Sequence, residues 1–197
     1  MNIDVPLRDL GLVDPSALQS AVRAADESEW QANQLRQTRF DVHYKTQSLI
    51  MIFTETEDWP KARVCRESGW ERLADAALPL VNSILSQYYP PGGRVIRAMA
   101  ARLAPGCVIK THSDTHASFH VGHRIHIPLA TNPRVRFTID RAPCSMQVGH
   151  AYEINNQLQH SVMNKGAEDR IHFIFDYVPP SELGALQLEG DPLNEER

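Results

Sequence analysis

Six of the nine histidines in this 197-residue chain fall between His112 and His150, and five of them, His112, His116, His120, His123 and His126, lie within fifteen residues. Such crowding raises metal binding, and three readings compete. On a helix, His112, His116 and His120 would share one face and could hold zinc. The segment THSDTHASFHVGH argues against that, because β-branched residues, Gly122 and Ser/Asp groups all disfavour a helix. On an extended chain, His112 and Asp114 point to the same side and can reach a common ion. One distant histidine would complete two imidazoles and a carboxylate on one face of an iron, leaving three positions open. His160 is the candidate. The third reading is a set of solvated or hydrogen-bonded histidines without metal, the ordinary state of a lone histidine.

Arg170 favours the second reading. It stands ten positions beyond His160, at the head of RIHFIFDYV. A cosubstrate with a free carboxylate needs a planar bidentate cation at the far end of its slot, and arginine meets that geometry better than lysine. Charge agrees: from Arg94 to Arg141 there are eight basic residues, Arg94, Arg97, Arg102, Lys110, Arg124, Arg134, Arg136 and Arg141, against Asp114 and Asp140. As a group they favour anionic ligands.

The elements that must position these residues change character at Gly93. Before it, Asp14-Pro15 starts a helix that the spacing of Ala17, Leu18, Ala21, Val22 and Ala25 carries to about Glu27. QSLIMIFT, residues 47–54, reads as a buried strand. Ser68 and Glu71 are spaced as a capping box ahead of the stripe Trp70, Leu73, Ala74, Ala77, Val81, Ile84 and Leu85, a helix that Pro79 is expected to kink. After Gly93, short runs separated by turn signals read as an antiparallel sandwich or barrel. There Ile125, Ile127 and Leu129 oppose Arg124 and His126, and Ile171, Phe173 and Phe175 oppose Arg170, His172 and Asp176. The polar face of each strand is therefore either wet or an interior site.

Composition narrows the classes. With 42% hydrophobic and 22% charged residues the chain suits one globular domain, and disorder and collagen are excluded. The net charge of -4 is carried by residues 182–197, so the body is neutral and no nucleic-acid partner is expected. No run is long and apolar enough to span a bilayer, and MNIDVPLRDL lacks a secretion pattern, so no membrane partner and a cytoplasmic location are expected. Cys65, Cys107 and Cys144 are odd in number and widely spaced, which suggests neither disulfides nor a zinc site.

From Ala101 to Pro179 the sequence, with THSD, GHRIHIPLATNPRVRF, GHAYEINNQLQHSVMNKG and DRIHFIFDYV, closely resembles the aspartyl/asparaginyl β-hydroxylase family of iron(II) and 2-oxoglutarate dioxygenases. The resemblance implies a mainly β fold with helices: a double-stranded β-helix, the cupin-like jelly roll, buttressed by N-terminal helices. Domain bounds follow as one dioxygenase domain over 1–181, with a mixed helical N-terminal region over 1–93, a jelly-roll core over 94–180 and a flexible acidic tail over 182–197. The resemblance makes His112 and His160 catalytic iron ligands, Arg170 the partner of the distal 2-oxoglutarate carboxylate, and Arg124 and His126 further cosubstrate-holding residues. The animal peptide hydroxylases of the family have glycine where Asp114 stands. Here Asp114 completes the usual triad, which disfavours halogenation, and the carboxylate oxygen suits iron. They also carry a substrate-reading arginine at the place of Gly122, so the resemblance leaves substrate identity open.

The reaction implied uses Fe(II), 2-oxoglutarate and O2 to hydroxylate an unactivated C–H bond of an amino acid or peptidyl residue, with succinate and CO2 as coproducts. The protein supplies iron geometry, exclusion of water and a held substrate C–H. Asn155, Asn156 and Gln159 are candidates to orient the ligands, with a turn role favoured for the asparagines. The first substrate expectation is a small acidic amino acid or short peptide, selected by N-terminal residues such as Arg36, Arg39, His43 and Trp59. Oligomeric state is left open. The alternative of a different class is a non-oxidative cupin-type metal-binding sensor or isomerase acting on a small acid, because fold does not fix function. Arg170 discriminates, since a sensor needs no carboxylate clamp opposite an iron.

Overall fold

On strand β11 (Arg170–Val178), Phe173 and Phe175 point one way and Arg170, His172 and Asp176 the other, yet all five are buried. The polar face is thus interior, which decides the architecture. In the structure, a computed structural model that describes residues 3–32 and 46–193, two sheets face each other. The larger holds eight strands in the order β1 (Leu7–Leu12), β9 (His150–Ile154), β6 (His123–Ala130), β11, β4 (Arg94–Leu103), β2 (Thr46–Glu55), β3 (Lys61–Arg66) and β12 (Gln187–Glu189). The smaller holds β5 (Val108–His112), β10 (His160–Asn164), β7 (Val135–Ile139) and β8 (Ala142–Cys144). From β4 to β11 the chain crosses between sheets with every pairing antiparallel, which is the expected double-stranded β-helix.

Two hydrophobic layers follow from strand alternation. On the outer side of the large sheet, Ile125, Ile127, Leu129, Phe173 and Phe175 pack against α1 (Ser16–Arg23) and α3 (Trp70–Tyr88) through Leu18, Val22, Leu73, Ala77 and Ile84. Each fully buried side chain of this size contributes roughly 1.5–3 kcal/mol. Between the sheets, Leu103, Tyr152 and Ile154 meet Ile109, Phe137, Ile139 and Val162, closing the end of the roll around the polar residues. No helix of the described residues is long and apolar enough to cross a membrane.

Several local expectations need correction. The first helix stops at Arg23, and a second, α2 (Glu27–Ala32), begins afresh because Asp26 and Glu29 form a capping box. The Asp26 carboxylate accepts from the Glu29 N–H at 3.0 Å, and the Glu29 carboxylate from the Asp26 N–H at 3.2 Å. Ser68 does not cap α3; Gly69 takes that place and its N–H donates to the Ile50 carbonyl at 2.7 Å. A Cβ at Gly69 would stand 2.7 Å from that oxygen, so the helix start is pressed onto β2 where only glycine fits. The helix itself runs unbroken through Pro79. The segment after Pro180, expected to be flexible, forms α4 (Pro180–Leu183) and then β12, which pairs parallel with β3. Arg66 and Arg94 bind its carbonyls at Pro192 and Leu188, backbone acceptors that an acidic composition does not advertise.

Candidate metal centre

His112 ends β5 and His160 begins β10, and the two residues are directly paired across the small sheet. Register alone therefore brings together imidazoles 48 apart in sequence, with ring centroids 4.3 Å apart. Asp114 follows just beyond β5, where its N–H donates to the Asn156 carbonyl at 3.0 Å. One ligand atom from each of His112, Asp114 and His160 lies within 4.8 Å of the others, which fits a single ion. The Asp140-Arg141 turn, both residues in the left-handed region, buttresses this end of the roll: the Asp140 N–H donates to the Gln159 carbonyl at 2.8 Å.

Each ring is aimed by its second nitrogen. His112 Nδ1–H donates to the Lys110 carbonyl at 2.8 Å and His160 Nδ1–H to the Leu158 carbonyl at 2.9 Å, so both present the Nε2 lone pair inward. Burial lowers the pKa of His160, outweighing the nearby Asp114 carboxylate, and keeps it neutral, the form that ligates a metal. Asp114 is 8% exposed and its Oδ2 accepts from Arg124 Nη1 at 2.5 Å and from Asn156 Nδ2 at 3.4 Å. Asn155 is the turn residue expected: its Oδ1 accepts from the N–H groups of Gln157 and Leu158. The helical zinc reading is excluded, since His112 lies on a strand and His116 precedes a single short turn, Ala117–Phe119.

A cavity opens beside the two histidines of the triad. His112, His160 and Arg124 line it together with His126, Phe137 and Arg170. Arg170 is 2% exposed, and its Nη2 donates to His172 Nδ1 at 2.7 Å. Burial, reinforced by Arg170 and His126, drives the His172 pKa well below its ordinary value, so this acceptor is a neutral ring. Arg170 Nε and His126 Nε2 are buried atoms without a protein hydrogen bond, although both residues make other contacts.

The basic stretch divides on folding. Arg94, Arg97, Arg102 and Arg124 pair with Asp191, Asp176, Glu27 and Asp114. Lys110, Arg134, Arg136 and Arg141 are exposed on or beside the small sheet, so the positive excess is not concentrated in the cavity. Trp59 packs edge-on against His116, 6.1 Å between centroids, on the loop after Asp114, whereas Arg36, Arg39 and His43 lie outside the described residues. At Gly122 an added Cβ would sit 3.1 Å from the Tyr177 carbonyl, so the backbone leaves little room there. Sequence reasoning missed Asp176, Arg97 and Ser118 as components of the site. The signal was present for Asp176, which alternates onto the face of Arg170 and His172.

A jelly roll whose two sheets enclose a two-histidine, one-carboxylate triad beside a cavity defines the class of non-haem oxygenases. Within that class, the family model for Aspartyl/Asparaginyl beta-hydroxylase matches residues 14–180, and the chain belongs to that family. Among solved structures it is similar to an oxidoreductase of the 2OG-Fe(II) oxygenase family from Burkholderia pseudomallei, at 12% identity, TM-score 0.50, covering 68% of this chain and 67% of that one. It is also similar to the non-heme monooxygenase ThoJ in a nickel complex, at 12% identity, TM-score 0.53, covering 89% and 74%. At that identity the likeness is one of fold. No curated protein matches the chain.

Proposed function

We propose that the protein is an iron(II)- and 2-oxoglutarate-dependent hydroxylase of an amino-acid or short-peptide substrate. The observation that carries this reading is that His112 and His160, two members of the His112/Asp114/His160 triad, line one cavity together with the buried Arg170. The donor set suits a ferrous ion: two imidazoles, each with Nδ1–H held by a backbone carbonyl, and one hard carboxylate oxygen. When bound there, iron with 2-oxoglutarate and O2 supplies the oxidant that hydroxylates an unactivated C–H bond and releases succinate and CO2.

The chain's own residues do the rest. His112 and His160 would hold the ion through Nε2, with Asp114 adding a carboxylate oxygen. Arg170 takes the distal carboxylate of the cosubstrate, a planar fork meeting a planar anion. His126 lines the same cavity and would contribute to holding the cosubstrate. Ile109, Val162 and Ile174 make the walls apolar, which keeps water from the reacting centre and strengthens each charge interaction inside. Trp59 and His116 form an aromatic contact on the loop after Asp114, where a substrate side chain can pack.

The test is anaerobic addition of 2-oxoglutarate to iron-loaded protein, followed by a screen of acidic and neutral amino acids and short peptides for substrate-stimulated succinate and a gain of one oxygen by mass spectrometry. A metal-to-ligand charge-transfer colour is expected. No colour, together with no succinate formed in air, would favour the sensor or isomerase instead.

A further inference from the structure

We propose that Arg124 is a positioning residue for Asp114, braced by Asp176 and Arg97, rather than a clamp on the cosubstrate as its place in HRIH implies. This rests on the reading of His112, Asp114 and His160 as a metal centre. Of the guanidinium's donors, Nε and Nη2 meet the two oxygens of Asp176, each at 2.8 Å, and Nη1 meets Asp114 Oδ2 at 2.5 Å. Its fork is therefore filled by one carboxylate, and the remaining edge by the other.

The arrangement selects one oxygen of Asp114. Oδ2 is held by Arg124 and Asn156, while Oδ1 lies 3.9 Å from His112 Nε2 and faces the shared ion position. A carboxylate pinned in this way binds through a single oxygen and leaves the other positions open for ligands. If Asp114 rotated to bind through both oxygens, it would occupy a position the cosubstrate needs.

The brace is rigid because it is buried and charge-balanced. Asp176 is 4% exposed and also accepts from Arg97 Nη1 at 3.3 Å; Arg97 is 5% exposed and its Nη2 donates to Ser118 Oγ at 2.7 Å. Burial alone would raise the Asp176 carboxyl, but the two guanidiniums outweigh it and hold the group below the usual carboxylate range. The Phe119 ring packs against both guanidiniums, its centroid 4.5 Å from Arg97 Cζ and 4.6 Å from Arg124 Cζ, so the loop after Asp114 seals the cluster from water. Arg170, by contrast, donates from Nη2 to the neutral His172 ring.

A double-mutant cycle read by cobalt(II) binding tests this without turnover. Asp176→Asn should weaken Co(II) affinity about 10- to 100-fold in the wild-type background and change the intensity of its d–d absorption, as loss of an orienting partner does elsewhere. In an Asp114→Ala background the same substitution should change affinity by less than about twofold, because its route of action is gone. Affinity of the metal-saturated Asp176→Asn protein for 2-oxoglutarate should stay within about threefold of wild type. Equal loss in both backgrounds, unchanged Co(II) affinity, or a selective loss of 2-oxoglutarate affinity would each overturn the inference. If Asp176→Asn does not fold, Arg124→Lys, which keeps the charge but not the fork, goes through the same cycle with the same expectations. Wild-type protein that fails to bind Co(II) would instead contradict the proposed function itself.

Discussion

Replacing Arg170 with methionine removes the guanidinium while keeping an unbranched apolar side chain that can still pack on Phe137, whose ring centroid lies 5.7 Å from Arg170 Cζ. A bidentate, buried arginine–carboxylate contact comprises two charge-assisted hydrogen bonds, each worth about 1.5–3 kcal/mol. Their joint loss, about 3–5 kcal/mol, corresponds to roughly a 150- to 4000-fold rise in the Kd for 2-oxoglutarate. Arg170→Lys restores a charge without the fork and should fall between the two proteins. Stability of the ligand-free protein should move the other way or not at all. A guanidinium that is 2% exposed and hydrogen-bonded to a neutral ring carries a desolvation cost, and its removal should leave stability unchanged within about 1 kcal/mol or raise it. The assay is anaerobic titration of iron-loaded protein followed by the charge-transfer band, beside thermal unfolding of the metal-free form. A Kd within threefold of wild type in Arg170→Met would refute the assignment of this residue to the cosubstrate.

Other outcomes follow from the same geometry. His160→Ala should abolish iron-dependent turnover and the metal-induced rise in melting temperature; for wild type that rise reflects about 2.7 kcal/mol at a hundredfold excess over Kd, measured by thermal scans with and without Co(II). His172 is buried and neutral in the fold but titrates near its ordinary value when unfolded. The unfolded state therefore gains a proton first as pH falls, and stability drops below about pH 6.5 by up to ~1.4 kcal/mol per pH unit from this group. In His172→Gln, denaturant melts between pH 7 and 5 should show a shallower decline; an unchanged slope contradicts the argument. Gly69→Ala forces a methyl group to 2.7 Å from the Ile50 carbonyl, so equilibrium unfolding should show a loss of about 1–3 kcal/mol.

Much of the site can be read along the chain because its components follow simple periodicities. His112 and Asp114 stand two residues apart, although Asp114 lies beyond β5 and is placed by its N–H bond to Asn156, and β11 separates Phe173 and Phe175 from Arg170, His172 and Asp176 by alternation. Local composition was a weaker guide. Asp26 and Glu29 restart a helix that apolar spacing alone would have continued, and Ser68 yields its capping place to Gly69 because β2 passes too close for a side chain. The acidic end of the chain is ordered as far as β12 by backbone pairing, which side-chain charge cannot forecast.

What the sequence determines on its own is which residue types lie on which face of each strand, and hence that two histidines and a carboxylate able to share an ion, and an arginine on the same interior face, are available together. Whether the polar faces are wet or enclosed depends on the second sheet closing over the first, a matter of long-range register such as His160 opposite His112. Tertiary structure also decides the assignment of the charges. Arg124 and Arg170 look alike in sequence, but one meets Asp114 and Asp176 and the other a neutral imidazole. The physical reason is that a buried charge takes its role from the groups within hydrogen-bonding reach, and folding, not spacing along the chain, chooses those groups.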